Sequence, residues 1–235
     1  MQTSMTPQPF EPTTLATYWT QIDQLERSQA EDAWHWFIGR YRGFVRSVLA
    51  RFVRERNAEA ATDDFWAYLF TSDVLQKADR DRRLRGFLVG VLRNFARDWL
   101  RRHRSPGQDI ELPPERATFD LHEDEEISLW AASVLHNALD QMHQRWPNSA
   151  EVLRMFYGLG DNESSPREAL TVSQTADALN CTTNAVHQAL HRGRKRLRAC
   201  LEVELERLVG PEETQDEIRL ILGAIGQRSP GLTDG

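Results

Sequence analysis

Cysteine is scarce in this chain. Two residues, Cys181 and Cys200, cannot build a disulfide framework, and the cytoplasm is the expected compartment. Long uncharged apolar runs are missing too, so no segment is expected to span a bilayer. The first ten residues have neither the basic start nor the apolar core of a signal peptide. No Gly-rich phosphate loop, clustered metal-ligand pattern or nucleophile elbow occurs. The expectation is therefore a protein that is no enzyme and needs no cofactor. An overall excess of positive charge is also lacking. The formal net charge is −6, which argues against indiscriminate coating of nucleic acid.

What is present is helical periodicity and segregated charge. At 235 residues the chain can form two small domains. Residues 1–12 are polar with three prolines and read as disordered. A short helix is expected from Thr14 to Arg27. From Glu31 to Glu55, Trp34, Phe37, Ile38, Tyr41, Phe44, Val45, Val48, Leu49 and Phe52 recur at three- and four-residue spacing, which predicts a long amphipathic helix. Thr62 to Phe70 predicts a helix that is apolar around much of its girth. Asp63 and Asp64 sit in its first turn, and Phe65 and Trp66 follow, as core or as a docking surface.

Basic charge concentrates between Lys77 and Arg104, where ten lysines and arginines oppose three aspartates. Residues 77–86 read as a loop. Leu84 to Arg102 reads as a helix with Leu84, Phe87, Leu88, Val91, Leu92, Phe95, Trp99 and Leu100 inward. Asn94 and Asp98 stand one turn apart and share a face. A basic helix flanked by aromatics suits single-stranded or partly melted DNA, where rings stack on bases and arginines hold phosphates. The segment 105–126 is acidic and proline-containing, and reads as a linker between domains 13–104 and 127–204. In the second domain a helix is expected from Ile127 to Arg145, with Ile127, Trp130, Val134, Ala138 and Met142 inward. Pro147 breaks it, and Asn148 with Glu151 predicts a capping box for a helix through Tyr157.

Thr171 to Arg198 carries the most information. Thr171 can cap a helix bearing Val172, Ala176 and Leu179 on one face. Asn180 tolerates a left-handed turn. Thr182 can cap a second helix with Val186, Leu190, Leu197 and Leu201 inward. Two such helices make a helix-turn-helix, whose second helix can enter the major groove. Its expected exposed positions are Thr183, Asn184, His187, Gln188 and His191, which can reach base edges. Arg192, Arg194, Lys195, Arg196 and Arg198 then form a phosphate-binding run. His187 and His191 have metal-compatible spacing, but no nearby carboxylate supports a metal site. A last amphipathic helix, Glu212 to Ile225, is expected in a C-terminal extension, 205–235.

Two helical blocks, one with an arginine-rich end helix and one with a helix-turn-helix, resemble a bacterial RNA polymerase sigma factor of the extracytoplasmic-function type. The resemblance covers roughly Ala30 to Leu201. Phe87-Leu88, Val91, Asn94, Asp98 and Arg101-Arg102 stand at the positions of the family's W-L-x-x-I-a-x-N-x-x-x-D-x-x-R-R pattern. Ala176, Leu179, Thr182, Val186, Leu190, Arg192, Arg194 and Leu197 match the family's S-x-x-E-I-A-x-x-L-G-x-S-x-G-T-V-x-x-x-L-x-R-A-R-x-x-L pattern. Asp63-Asp64-Phe65-Trp66 is similar to the Q-E-x-F of the polymerase-docking helix. The departures are Gln174 for glutamate, Thr175 for isoleucine and Asn184-Ala185 for glycine-threonine, with His187 and Ala189 where basic residues are common.

The resemblance implies an all-α fold of two helical domains, sigma region 2 and sigma region 4, joined by the acidic linker. It implies core RNA polymerase as partner, met at the β′ clamp helices through Asp63, Asp64, Phe65 and Trp66 and at the β flap through the second domain. Promoter DNA is the second partner, and an anti-sigma factor or other regulator a third. The minus-ten element would be bound and opened by Arg82, Arg83, Arg85, Arg93, Asn94, Arg97, Asp98, Arg101 and Arg102. The minus-thirty-five element would be read by Thr182, Thr183, Asn184, His187, Gln188, His191, Arg192, Arg194 and Lys195. The alternative is a non-sigma helix-turn-helix regulator with an N-terminal sensor or interaction domain.

Overall fold

The bulky apolar residues of the first amphipathic stretch fold as one helix, α1 (Glu31–Val53). Every predicted inward residue of it is buried except Ile38, which is half-buried. The computed structural model describes residues 31–78, 84–103, 121–160, 167–208 and 211–228. Among the described residues every regular element is helical and no strand occurs, so the fold is all-α as expected. The helix expected at Thr14–Arg27, the stretch containing Arg82 and Arg83, and most of the expected linker lie outside the described residues.

Arg54, with φ of 70°, turns the chain into α2 (Glu55–Thr71), which starts seven residues earlier than its apolar content predicts. The extra turns bury only Ala58 and Ala61, and Thr62, whose hydroxyl donates to the Ala58 carbonyl at 2.7 Å. Their other face pairs with α1. Arg42 binds Glu59 and, at 2.9 Å, Asp63; Arg46 binds Glu55 and, at 3.2 Å, Glu59. Partial burial works against the charge of both arginines, but these hydrogen bonds and charges outweigh it and raise both above the ordinary arginine value. After a short 3-10 turn, Leu75–Lys77, comes α3 (Leu84–Arg102). Its predicted apolar face is buried apart from half-buried Phe87 and Leu100, and Val89, Ala96 and Arg85 join it.

The acidic run Glu123-Asp124-Glu125-Glu126 is not linker. It is the first turn of α4 (Glu123–Arg145), where carboxylates complement the helix dipole. Pro147 both ends α4 and occupies the first turn of α5 (Pro147–Tyr157). The expected capping box of Asn148 and Glu151 does not form, because the proline starts the helix two residues earlier with Trp146 as N-cap. Gly158 ends α5 in the left-handed region at φ of 64°. A Cβ there would lie 2.6 Å from the Arg167 carbonyl oxygen and 2.9 Å from the Ala169 nitrogen, so only glycine fits. Arg154, buried, donates to Asp140 at 2.7 Å and to the Gly160 carbonyl at 2.8 Å, tying α5 to α4 and to the chain beyond it. α6 (Val172–Ala178), α7 (Thr183–Leu208) and α8 (Pro211–Arg228) complete the fold.

One continuous buried core runs from Trp34 of α1 to Ile221 of α8. α1 packs on α2, α3 and α4; α4 packs on α5, α7 and α8. Trp130 of α4 is the hinge pin of this arrangement, with its ring 5.6 Å from those of Tyr41 and Phe44 on α1. The two helical blocks expected from sequence therefore share their core.

Candidate nucleic-acid interface

The helix-turn-helix is built from capping chemistry. Thr171 Oγ1 accepts from the Gln174 amide at 3.2 Å, and the Gln174 side chain accepts from the Thr171 amide at 2.8 Å. Glutamine thus completes the capping box in place of glutamate. Thr175, standing where an isoleucine is usual, is buried without penalty because its hydroxyl donates to the Thr171 carbonyl at 2.8 Å. Asn180 takes φ of 49°, and the Cys181 amide closes the turn onto the Ala176 carbonyl at 2.9 Å. Thr182 Oγ1 accepts from the Ala185 amide at 3.2 Å and opens α7. Val186, Leu190, Leu197, Leu201 and Leu205 then face the core. Gly193 lets α7 approach α5 closely: a Cβ there would stand 3.2 Å from Leu153 Cγ.

That packing leaves Thr182, Thr183, Asn184, His187, Gln188, His191, Arg192, Arg194 and Lys195 all exposed. The basic run behind them is less uniform than its sequence. Arg194 Nε donates to the Tyr157 hydroxyl at 2.8 Å, and its guanidinium lies over the Phe156 and Tyr157 rings at 5.9 and 5.8 Å. Arg196 lies 5.0 Å over Trp146 and donates to Ser149 at 2.6 Å. Arg198 binds Glu202 and Gln215. These arginines are oriented by α5 and α8. Among the described residues, Arg192 and Lys195 are the exposed cations of the run without such a tether. Sequence reasoning missed Trp146 and Tyr157 as supports. The available signal was position: Arg194 is four residues after Leu190 and three before Leu197, on the flank of the buried stripe.

A second site lies between α2 and α3. A cleft of about 740 Å³ is lined by Asp64, Ala67, Tyr68 and Thr71 of α2 and by Asn94, Phe95, Asp98, Arg101 and Arg102 of α3. Asn94, Asp98, Arg101 and Arg102 are thus brought together, with Asp98 and Arg101 ion-paired. Tyr68 and Phe95, ring centroids 5.5 Å apart, supply an aromatic wall. The Trp99 indole donates to Asp64 at 2.8 Å, locking α3 to α2, and the His103 ring stacks on Trp99 at 4.0 Å. A basic rim with an aromatic wall can hold an anionic backbone and a flat ring together.

The remaining predicted residues are scattered. Arg97 is exposed and Arg93 half-buried. Arg85 is not at the surface: it is buried between Glu126 and Glu217. On α2, Asp63 pairs with Arg42, while Phe65 and Trp66 are core residues and cannot themselves touch a partner. The exposed apolar side chains of that helix are Tyr68 and Phe70, the latter 52% exposed. Among the described residues no group of three or more His, Cys, Asp or Glu is placed to hold a metal ion. No helix among them is long and apolar enough to cross a membrane. No family model matches the chain, and no curated protein matches it.

Proposed function

We propose that the chain is a transcription initiation factor of the sigma type, binding core RNA polymerase and directing it to promoters. The observation that carries this is the coexistence of two sites in one chain. One is a capped helix-turn-helix with an exposed polar and basic reading face. The other is the α2–α3 cleft, where Asn94, Asp98, Arg101 and Arg102 meet Tyr68 and Phe95. A duplex-only regulator has no use for the second site, and this favours sigma activity over the ordinary regulator.

In mechanism, α1–α3 serve as the region 2 domain and α4–α7 as the region 4 domain. The first turns of α7 enter the major groove at the minus-thirty-five element, with Asn184, His187, Gln188 and His191 toward base edges and Arg192 and Lys195 toward phosphates. The cleft receives an unstacked base of the minus-ten element. Arg101 and Arg102 hold its backbone, and exposed Tyr68, backed by the buried Phe95 ring, offers a surface for stacking. Unstacking costs about a few kcal/mol per step, and polymerase binding supplies the remainder. The chain contributes no catalysis of its own. The β′ clamp helices meet the exposed side of α2 away from the cleft, through Asp63 and Phe70, with Phe65 and Trp66 holding that helix from behind and Asp64 held by Trp99; the β flap meets the second domain. Such a factor works in the cytoplasm and is open to an anti-sigma factor.

The direct test is association. Purified chain is titrated into bacterial core polymerase, and complex formation is followed by analytical ultracentrifugation. A one-to-one complex weakened by Phe70→Ser supports the proposal. Absence of any complex, with tight binding of a palindromic duplex by the chain alone, would transfer the function to an ordinary regulator.

A further inference from the structure

Arginines that bridge helices in this chain are mostly neutralised by carboxylates. Arg42 and Arg46 bind Glu59, Arg85 binds Glu126 and Glu217, and Arg154 binds Asp140. Arg194 of α7 departs from that pattern. Its Nε donates to the Tyr157 hydroxyl at 2.8 Å, and its guanidinium lies over the Phe156 and Tyr157 rings at 5.9 and 5.8 Å. These partners are neutral, and no carboxylate among the described residues pairs with it. The side chain stays exposed. With Nε engaged, the Nη1 and Nη2 end of the fork keeps its donors and its charge for an anion.

The platform beneath it is firm. Tyr157 is the last residue of α5, and Gly158 after it turns left-handed where only glycine fits. The Leu159 amide returns to the Arg154 carbonyl at 2.9 Å, the Arg167 amide to the Gly158 carbonyl at 3.0 Å and the Leu170 amide to the Met155 carbonyl at 2.9 Å. The Phe156 and Tyr157 rings meet edge to face, with centroids 5.1 Å apart.

Position along α7 gives the tether its use. Arg194 is three residues after His191 and seven after His187, so the three share one edge of the helix. Arg192, four residues after Gln188, stands on the other edge, because two residues turn the helix by roughly 200°. With the first turns of α7 in a major groove, the two edges face the two phosphate backbones that wall it. A free arginine loses rotamer freedom when it grips a phosphate. Arg194 has lost that freedom beforehand, and its neutral tether leaves the charge intact where a carboxylate would cancel it.

We propose that Tyr157, backed by Phe156, is a positioning residue that holds Arg194 ready for a duplex phosphate at the edge of the groove. The proposal rests on the reading of α6 and α7 as a DNA-binding helix-turn-helix, and not on the sigma assignment. Arg194 makes the contact; Tyr157 acts through it.

The test uses the full chain and a fluorescein-labelled duplex of about 30 base pairs and mixed sequence, with anisotropy followed from about 0.05 to 0.3 M salt. Arg194→Ala removes one phosphate contact and lowers the logarithmic salt slope by about 0.9. Tyr157→Phe keeps the charge and the ring but frees the guanidinium, so the slope stays at the wild-type value and affinity falls roughly threefold. In the Arg194→Ala background Tyr157→Phe has no further effect. Arg194→Lys retains the charge without the Nε donor; it keeps the slope, loses the same roughly threefold in affinity, and gains no further loss from Tyr157→Phe. Wild-type affinity in Tyr157→Phe, or a loss that persists with Arg194→Ala, overturns the positioning role. Should Tyr157→Phe fail to melt cooperatively, Arg194→Lys alone decides: the loss at unchanged slope supports the role, and wild-type affinity overturns it. Absence of duplex binding by the wild type sinks the helix-turn-helix reading together with this role. Binding without coupling between the two residues sinks the role alone.

Discussion

Replacing Trp130 should separate the contribution of its ring from that of its indole N–H. The side chain is 2% exposed and packs on Tyr41 and Phe44, so it joins α4 to α1. Its Nε1 is buried without a hydrogen-bond partner among the described residues. Truncation to alanine removes about 180 Å² of buried ring, or about 4.5 kcal/mol at 25 cal/mol per Å². Relief of the unpaired N–H returns roughly 1–2 kcal/mol, leaving Trp130→Ala about 3 kcal/mol less stable. Trp130→Phe keeps most of the ring and removes the orphan donor, so it should lie within about 1 kcal/mol of wild type. Urea unfolding followed by far-UV circular dichroism measures both. With a slope of about 3 kcal/mol/M, the alanine midpoint falls by about 1 M and the phenylalanine midpoint hardly moves. Equal losses in the two variants, or an alanine loss under about 1 kcal/mol, would refute the shared core and the orphan-donor argument together.

Other parts of the molecule give further expected outcomes. Thr171→Ala removes the capping box and should cost about 1 kcal/mol, a fall of about 2–4 °C in Tm by calorimetry. Cys200 is half-buried, and burial pushes its thiol up, opposed by Arg145 and reinforced by Glu204. Alkylation followed by peptide mass spectrometry should therefore find exposed Cys181 modified first, with Cys200 gaining rate as pH rises beyond the usual thiol range; equal rates at neutral pH would contradict this. Arg192→Ala should weaken duplex binding evenly across sequences and reduce the salt slope by about 1, while Gln188→Ala should cost about 1–3 kcal/mol at one base pair and relax preference there. Fluorescence anisotropy at several salt concentrations tells the two apart.

The long helices were legible where bulky apolar residues repeat. α1 and α3 bury nearly the predicted faces, and Thr171, Asn180 and Thr182 perform the turn chemistry that their side chains allow. The start of α2 was not legible, because alanines at 58 and 61 carry almost no hydrophobic signal and its partners, Arg42 and Arg46, lie on another helix. Nothing local in the sequence marks Glu126, Glu204 or Glu217 as a charge that a distant arginine will neutralise. For the candidate site, sharing of a face by Asn94 and Asp98 follows from helical spacing, but the facing wall of Tyr68 depends on how α2 and α3 pack. The burial of Arg85 could be read only from the packed molecule.

Reconstituted transcription tests the central claim most directly. Chain and core polymerase are incubated with fragmented genomic DNA from the source organism, and transcript starts are mapped. The account predicts new starts sharing two spaced upstream motifs, lost with Arg101→Ala/Arg102→Ala and shifted in their upstream motif with Gln188→Ala. The same starts with core alone, or none with the chain added, would contradict it.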